Sequence, residues 1–382
     1  SPLLADVPWV YGELGLEGEV LAPEDVFRAE TEMGSEILLT GTSDNAFPFN
    51  TVQLKSLKDL SQIEVVSAQS VNQLQQASAF EERYFCQKSA KLMAIIATGE
   101  HSALMVGPAG SGKTTLCESI PPLLKSPSIK EKKEIRRWAL AMNWPLEDRP
   151  FVMPHHSTPN ISMIGGGIPP MPGEITRAHK GVLVLDELLE FSNPVKESLR
   201  EPIVSGQISV SRRGVKKEYP ADFLLLATSN LCPCGQLVPK TYNSCRFSLT
   251  KCRSYTEKLS GPLADRFHIL AYSHLWEKKE EVALSQIKEQ VQQAQAFAKQ
   301  ARQQELVNSK LSTAQILATC DHFLSHGGMP EFTGSRRRFK AVLQVARTLA
   351  DLQQCEKISL KQVQTAMSYA QLPFMELQQI FA

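Results

Sequence analysis

The spacing of hydrophobic and polar residues changes twice along this chain of 382 residues. Up to about residue 72, short apolar runs alternate with turn residues around one helical pattern at 23–33. From residue 102 onward, apolar runs alternate with helical segments, which is typical of βαβ units and a parallel sheet. Beyond about residue 272, only helical patterns follow. The pattern predicts a small α+β domain, an α/β domain and an all-helical domain, in that order.

The same pattern places individual elements and domain boundaries. An amphipathic helix is predicted over 87–98, and Gly99 is expected to end it. Apolar runs predict strands at Ala103–Val106, Val182–Leu185 and 223–227. The last part of the chain is predicted to form helices at 278–302, 312–325, 335–352 and 360–369. We expect domains at 1–72, 87–272 and 273–382, with a linker rich in Gln, Ala and Ser at 73–86.

Composition favours a soluble protein with an uneven distribution of charge. Hydrophobic residues make up 42% of the chain and charged residues 21%. No run approaches the roughly eighteen apolar residues of a membrane helix, and the first residues lack the basic start of a signal peptide. We therefore expect a cytoplasmic protein without a membrane partner. The net charge of +1 conceals a value of −9 over residues 1–70, which leaves +10 on the remainder, where polyanions can be attracted.

A glycine-rich segment after the predicted strand Ala103–Val106 has the composition of a phosphate-binding loop. Backbone N–H groups can surround a polyphosphate where glycines allow positive φ or close approach. Lys113 can reach the β- and γ-phosphates, and the Thr114 hydroxyl can hold Mg²⁺. The alternative is a chance glycine-rich turn, but a strand before the loop and a helix after it favour the nucleotide site. The predicted ATP site consists of Gly107, Pro108, Ala109, Gly110, Ser111, Gly112, Lys113, Thr114 and Thr115.

Two carboxylates follow the predicted strand Val182–Leu185, where the edge of the sheet would open onto the nucleotide. Asp186 is expected to bind Mg²⁺ through water, and Glu187 to polarise the attacking water as a general base. Alone, an apolar strand that ends in Asp-Glu is common. Together with the phosphate loop, it predicts an ATPase.

Several further segments resemble the magnesium-chelatase-like AAA+ ATPases of the ComM/YifB family, and the match runs over most of the chain. The similarity implies an AAA+ P-loop domain with a parallel sheet, followed by a helical lid. Tyr11-Gly-Glu-Leu-Gly-Leu-Glu-Gly-Glu19 also resembles part of that family's Lon-protease-like N-terminal α+β domain. No Ser/Lys protease dyad is evident there, so no proteolysis is inferred. The segments that carry the resemblance are Arg149-Pro-Phe, Pro154-His-His156, Gly165-Gly-Gly167, Pro172-Gly-Glu174-Ile, Ala178-His179, Leu199-Arg-Glu-Pro202, Cys232-Pro-Cys-Gly235 and Leu259-Ser-Gly-Pro-Leu-Ala-Asp-Arg266.

The resemblance also implies a homo-hexameric ring with ATP between neighbouring subunits. By that similarity, Asn230 corresponds to the sensor-1 residue that orients the attacking water, and Arg266 to an arginine finger that acts across a subunit boundary. Arg337 falls at the sensor-2 position of the lid, although Arg336 and Arg338 adjoin it and a one-residue slip would change the choice. The alternative for each arginine is a surface salt bridge.

Residues 207–219 are predicted to form two short strands that turn at Arg213-Gly214. In related rings such a hairpin faces the pore, and the adjacent segment 157–172, with Gly165-Gly-Gly167, would be a second pore loop. Cations near the tip could bind nucleic-acid phosphates without reading sequence. A solvated basic hairpin is the alternative. The candidate DNA-binding residues are Arg212, Arg213, Lys216 and Lys217.

Four of the eight cysteines lie close together in sequence, and they could supply a tetrahedral thiolate Zn²⁺ site. Their spacing supports this only weakly, because Cys-x-Cys is less usual for zinc than Cys-x₂-Cys. Reduced cysteines in a surface loop are the alternative, and a bound zinc ion would be structural. The four residues are Cys232, Cys234, Cys245 and Cys252.

Three hypotheses for function follow from these features. The first is an ATP-driven motor that remodels or moves DNA, for which the resemblance implies branch migration during uptake and recombination. The second is a chelatase-type ATPase that drives metal insertion in a partner. The third is a nucleotide-gated scaffold without turnover, which Lys113, Asp186, Glu187 and Asn230 argue against, since each has a role in hydrolysis.

Overall fold

The computed structural model describes most of the chain beyond residue 80 and short strands before it. The described ranges are 81–212, 215–238, 245–259, 263–276, 279, 281–332 and 334–379, together with strand residues among the first 66. The chain divides into two compact units, one of residues 1–79 and 126–149 and the other of residues 80–125 and 150–382. No helix within the described residues is long and apolar enough to cross a membrane.

Seventeen strands are described, most of them short. In chain order they are β1 (Trp9–Val10), β2 (Glu13–Leu14), β3 (Val20–Leu21), β4 (Leu38–Gly41), β5 (Thr51–Leu54), β6 (Val65–Val66), β7 (Tyr84–Phe85), β8 (Ala103–Val106), β9 (Phe151–Val152), β10 (Gly165–Gly166), β11 (Met171–Pro172), β12 (Val182–Leu185), β13 (Gln207–Arg212), β14 (Val215–Pro220), β15 (Leu224–Ser229), β16 (Ile269–Tyr272) and β17 (Val282–Ala283).

The α-helices of the described residues lie mainly between the strands of the second unit and in its last hundred residues. They are α1 (Gln87–Gly99), α2 (Lys113–Glu118), α3 (Ile129–Ala141), α4 (Asn160–Ile164), α5 (Glu174–Arg177), α6 (Asn193–Ser198), α7 (Pro202–Ser205), α8 (Leu249–Glu257), α9 (Leu284–Arg302), α10 (Thr313–Leu317), α11 (His322–Ser325), α12 (Arg336–Leu352), α13 (Leu360–Ala370) and α14 (Leu372–Gln379).

In the first unit, β1, β4, β5 and β6 form a small sheet in that order, and all pairs except β5–β6 are parallel. The predicted Lon-protease-like domain and most of the predicted linker fall largely on residues outside the described ranges, so both stay predictions. Within that linker, β7 is described, and it pairs antiparallel with β17 of the helical region.

The second unit is built on a five-stranded parallel sheet with the order β16-β8-β15-β12-β9. The predicted α/β class with a helical C-terminal region is therefore confirmed. The side chains of β8, β12 and β15 are buried along their whole length, as expected for strands that are covered on both faces. Because these strands are parallel neighbours, the loops that follow them all emerge at the same edge of the sheet.

Helix α1 is buried from Ser89 to Gly99 except for Lys91, and it packs against α9 and α12. The helix ends at Gly99, as expected, although Gly99 does not adopt the left-handed conformation typical of a terminating glycine. Gly99 is its last helical residue, and the left-handed position is taken by Glu100, with φ of 50°. A Cβ at Gly99 would collide with His101 and Thr348, whose side chains hydrogen-bond at 2.7 Å. The glycine therefore allows α12 to approach the end of α1.

The helical region begins and breaks at different points than periodicity predicts. Helix α9 begins at Leu284 rather than at 278, since Val282–Ala283 are taken up by the pairing with β7. The predicted helix 312–325 is two short helices, because the backbone of Cys320 between them forms a parallel β-bridge with Ile358. Tertiary pairing replaces helical hydrogen bonds at both places.

Helix α12 is joined to the α/β part through a buried arginine. Arg338 is 7% exposed, and its Nε donates to Asp265 Oδ1 at 3.1 Å. Its terminal nitrogens donate to the carbonyl of Ala370 at 3.1 Å and to that of Phe267. Burial lowers the pKa of Arg338 to about 10 against the raising effect of Asp265, so the side chain stays charged at neutral pH. The residue links α12 and α13 to the segment that contains Arg266.

We expect Arg338→Leu to destabilise the chain by about 3 kcal/mol, because it removes the buried charged donor of the Ala370 and Phe267 carbonyls and one of the donors to Asp265. The matched control is Arg336→Leu, which removes an exposed arginine from the same helix. Urea unfolding followed by circular dichroism at 222 nm measures both. Equal unfolding midpoints for the two variants would show that the buried contacts of Arg338 contribute nothing.

Candidate nucleotide site

The predicted phosphate loop lies between β8, which ends at Val106, and α2, which begins at Lys113. Gly110 and Gly112 have φ of 73° and 82°, which L-residues with a side chain rarely adopt, and open space lies around both. At Gly107 a Cβ would collide with Ser273 Oγ. The loop backbone is therefore shaped by its glycines into a turn that leaves room for a ligand, and this fits the predicted binding of a nucleoside triphosphate.

Lys113 connects the loop to the end of β15. Its Nζ donates to the carbonyl oxygens of Gly107 and Pro108 at 3.0 and 2.7 Å, and to Asn230 Oδ1 at 3.3 Å. Burial lowers the pKa of Lys113, and the nearby carboxylates Asp186 and Glu187 oppose that effect. The structure thus brings the predicted phosphate-binding lysine and the predicted sensor-1 residue together. This position puts one positive charge at the floor of the loop.

Asp186 receives hydrogen bonds from two hydroxyl groups. Thr114 Oγ1 donates to Asp186 Oδ1 at 3.0 Å, and Thr228 Oγ1 donates to the same oxygen at 2.5 Å. A hydroxyl and a carboxylate side by side are hard oxygen ligands of the kind that Mg²⁺ prefers. Thr114 and Asp186 therefore fit a magnesium ion beside the phosphate loop, as the sequence predicts.

Glu187 is held in a left-handed conformation at the sheet edge, with φ of 56°. Its backbone N–H donates to Thr228 Oγ1 at 3.0 Å, while its side chain is half-exposed and its Oε2 lies 3.9 Å from His156 Nδ1. A non-glycine residue in this region is strained, and such strain is common at functional sites. The conformation leaves the carboxylate at the surface of the site, where a water molecule can reach it.

Sequence reasoning did not single out Thr228 or His156 as site residues. Thr228 could have been found, because it lies two residues before Asn230 and alternate residues of a strand share a face. His156 is 31 residues before Glu187, and only the fold brings the two side chains together.

The predicted arginines cluster beside α12. Arg266 Nε donates to the carbonyl of Arg200 at 3.2 Å. Burial lowers the pKa of Arg266, and the charges of Arg337 and Arg200 lower it further. Arg337 is 48% exposed and lies 3.9 Å from Asp265, whereas Arg338 is enclosed by its own contacts. Arg338 is thus buried and held by contacts within the fold. Arg337 is more exposed than Arg338 and stays the candidate for the sensor-2 position.

The basic hairpin is described in part. Strands β13 and β14 pair antiparallel from Gln207↔Pro220 to Arg212↔Val215, while Arg213, Gly214 and the side chain of Arg212 lie outside the described residues. Lys216 pairs with Glu218 at 3.0 Å. Tyr219 donates to the carbonyl of Pro170 at 2.5 Å, so the base of the hairpin is attached to the 157–172 segment.

The four cysteines also come together. Sγ–Sγ distances are 3.2 Å for Cys232–Cys234, 3.6 Å for Cys234–Cys245 and 3.2 Å for Cys245–Cys252. All four are free thiols. The fold therefore joins residues whose spacing in the sequence supported a common site only weakly.

Known protein families match nearly the whole of the second unit. The family "Magnesium chelatase, subunit ChlI" matches residues 83–281, and its C-terminal part matches residues 282–370. YifB of Salmonella typhimurium is 36% identical over 301 residues, which is 72% of this chain and 57% of that protein. The competence protein ComM of Haemophilus influenzae is 33% identical over 304 residues, which is 74% of this chain and 58% of that protein. The chain thus matches somewhat more than half the length of these relatives.

We expect Lys113→Ala to weaken ATP binding by about tenfold to 150-fold, which corresponds to about 1.5–3 kcal/mol for a charged hydrogen bond. The change removes the cation at the floor of the loop. Lys91→Ala, at an exposed position of α1, is the control and should leave the affinity unchanged. Anisotropy of a fluorescent ATP analogue measures both. An unchanged Kd in Lys113→Ala would exclude the loop as the phosphate site.

Proposed function

Because this chain belongs to the family of the magnesium chelatase subunit ChlI, we propose that it is an AAA+ ATPase that hydrolyses ATP with Mg²⁺ to remodel or move DNA. The observation that carries the ATPase part is one hydrogen-bonded group at the sheet edge. Lys113 contacts Asn230, Thr114 contacts Asp186, and Thr228 contacts both Asp186 and the backbone of Glu187.

Each of these residues has a role in the proposed reaction. Lys113 and the loop N–H groups would bind the phosphates, and Thr114 and Asp186 would hold a magnesium ion, whose charge would balance that of the phosphates. Glu187 polarises the attacking water, and its exposed carboxylate suits that role. Asn230 orients the same water. The hydrogen bonds through Thr228 support this arrangement, because they hold Asp186 and Glu187 in fixed positions relative to β15.

The remaining part of the site is proposed to come from a second copy of the chain. In a hexameric ring, Arg266 would approach the nucleotide of the neighbouring subunit, and Arg337 would contact a nucleotide from the lid. The three arginines Arg200, Arg266 and Arg337 outnumber the carboxylates Asp265 and Glu197 beside Arg266, and this excess of positive charge supports the approach of an anion such as a phosphate. An isolated subunit is then expected to bind ATP and hydrolyse it slowly.

DNA is the proposed substrate of the motor, with branch migration in uptake and recombination as its role. Residues 71–382 carry a net charge of +10, and strand β14 of the hairpin carries Lys216 and Lys217. The name of the relative ComM, a competence protein, agrees with this role. The alternative is metal insertion in a partner, which the chelatase family name favours. A scaffold that binds ATP without hydrolysis is a further alternative.

The rate of ATP hydrolysis without DNA and with single-stranded, duplex or branched DNA separates these functions. Stimulation by branched DNA is expected for the proposed motor. Hydrolysis that is indifferent to all three would favour the chelatase-type function. Binding of ATP without any hydrolysis, with or without DNA, would favour the scaffold.

Glu187→Gln should lower kcat by about 10²–10⁴ while the Kd for ATP stays the same, because the amide cannot accept the proton of the attacking water. Glu305→Gln makes the same chemical change at an exposed position and serves as the control. Steady-state phosphate release and equilibrium ATP binding are the measurements. Unchanged hydrolysis would remove Glu187 from the mechanism.

Replacing Arg212, Arg213, Lys216 and Lys217 by alanine is expected to weaken DNA binding while basal ATPase activity is preserved. If all four contact phosphates, the slope of log K against log salt becomes less steep by about 3–4 units. A variant with the same charge change at the exposed residues Lys91, Lys299, Lys357 and Lys361 is the control. Anisotropy with labelled branched DNA at several salt concentrations measures both. Equal affinity of the hairpin variant and wild type at low salt would contradict the role of the hairpin.

A further inference from the structure

The four cysteines form a compact sulfur cluster directly after the residue that contacts Lys113. Cys232 and Cys234 follow Asn230 at the end of β15, Cys245 precedes α8, and Cys252 lies on that helix. Each Sγ is within 3.6 Å of at least one other. The Sγ atoms of Cys232, Cys234 and Cys245 all lie within 4.8 Å of one another. Cys232 and Cys252 are fully buried.

The geometry of the cluster fits a bound ion better than any set of disulfides. A disulfide needs an S–S distance of about 2.05 Å, and the distances here are longer by more than 1 Å. Four thiolates around zinc, each about 2.3 Å from the ion, are about 3.8 Å apart at the corners of a tetrahedron. Three of the six Sγ–Sγ distances, at 3.2–3.6 Å, lie close to that value. Cys252 joins the group of Cys232, Cys234 and Cys245 through its contact with Cys245.

A backbone N–H group donates to the sulfur of Cys232, as is found around metal-bound thiolates, and a second backbone hydrogen bond closes the turn after this residue. The N–H of Leu237 donates to Cys232 Sγ at 3.1 Å, and the N–H of Gly235 donates to the Cys232 carbonyl at 3.0 Å. These bonds wrap the chain around the first two sulfurs. Donors of this kind orient ligands and stabilise their charge. Four sulfur ligands in a tetrahedral arrangement are typical of zinc and of iron–sulfur centres.

We propose that Cys232, Cys234, Cys245 and Cys252 bind one structural Zn²⁺ ion, and that this ion holds the wall of the phosphate loop in place. The role of the ion at the phosphate loop rests on the proposed nucleotide site, whereas zinc binding by the four cysteines does not.

The contact between the cluster and the loop passes through Gly235, the residue after Cys234. The N–H of Ala109 in the phosphate loop donates to the Gly235 carbonyl at 2.9 Å. Gly235 has φ of 71°, and a Cβ on it would lie only 3.1 Å from the Cβ of Ala109. The cysteine segment thus packs directly on the loop, and anything that orders Gly235 also orders Ala109.

Helix α8 is attached to the same segment from the other side. Thr256 Oγ1 donates to the carbonyl of Leu231 at 3.1 Å, and Cys252 on the same helix contacts Cys245. A zinc ion would therefore join the end of β15, the segment at Cys245 and helix α8 at one point. Such an ion stabilises the folded arrangement because the unfolded chain has no preformed site. Its loss would release Gly235 from the loop.

The test begins with metal content, which does not depend on ATP. Wild-type protein without an affinity tag, purified with zinc present, should contain about one zinc per chain, and its cobalt-substituted form should show cobalt–thiolate absorption. Cys234→Ser and Cys245→Ser should each lose the metal. Cys355→Ser, a partly buried cysteine outside the cluster, should keep it. A wild-type zinc content near zero, or no cobalt–thiolate absorption, would overturn the proposal without reference to any variant's folding.

The effect on the loop is measured by ATP affinity before and after zinc is released from the wild type by a thiol reagent. Release should raise the Kd for ATP about threefold or more, and zinc with reductant should restore it. An unchanged Kd after full release would overturn the role of the ion at the loop and leave the metal site. A zinc-loaded wild type that binds no ATP would instead overturn the proposed nucleotide site.

Discussion

The hydrogen bonds that the Asp186 carboxylate accepts hold the candidate site together. One of the carboxylate oxygens accepts hydrogen bonds from Thr114 at the start of α2 and from Thr228 near the end of β15, while Asp186 itself follows β12. Three elements of the sheet edge are thus held by a single atom. Because Thr228 also accepts the N–H of Glu187, the position of one carboxylate fixes the backbone of the other. The parallel pairing of β8, β15 and β12 is what brings these groups within hydrogen-bonding distance.

A second set of polar contacts joins the helical region to the segment that precedes β16, at the other end of the strands. Arg338 binds the segment around Asp265 and reaches the end of α13, so helix α12 cannot move without moving the segment that contains Arg266. Arg337 lies one residue away and half-exposed. Adjacent residues on one helix therefore differ in exposure, since Arg338 is buried in the fold and Arg337 is half-exposed.

The phosphate loop has neighbours on two sides that have no part in phosphate binding. Ser273 after β16 packs where a side chain at Gly107 would lie, and Gly235 of the cysteine segment accepts the N–H of Ala109. The glycines of the loop allow many backbone conformations, and contacts with residues outside the loop restrict it to one. This arrangement connects the ATP site with the cysteine cluster and with the first residues of the helical region.

Features that depend on neighbouring residues could be predicted from the sequence. Buried strands, the glycine-rich loop, the carboxylates after β12 and the βαβ order are all local patterns, and the strands Ala103–Val106 and Val182–Leu185 have the predicted bounds. Other features became visible only in the tertiary structure. His156 approaches Glu187, and four unevenly spaced cysteines come together. Arg338 is buried rather than Arg337, and Gly99 allows two helices to pack closely. These depend on which distant segments pack together, and periodicity along the chain carries no information about that choice.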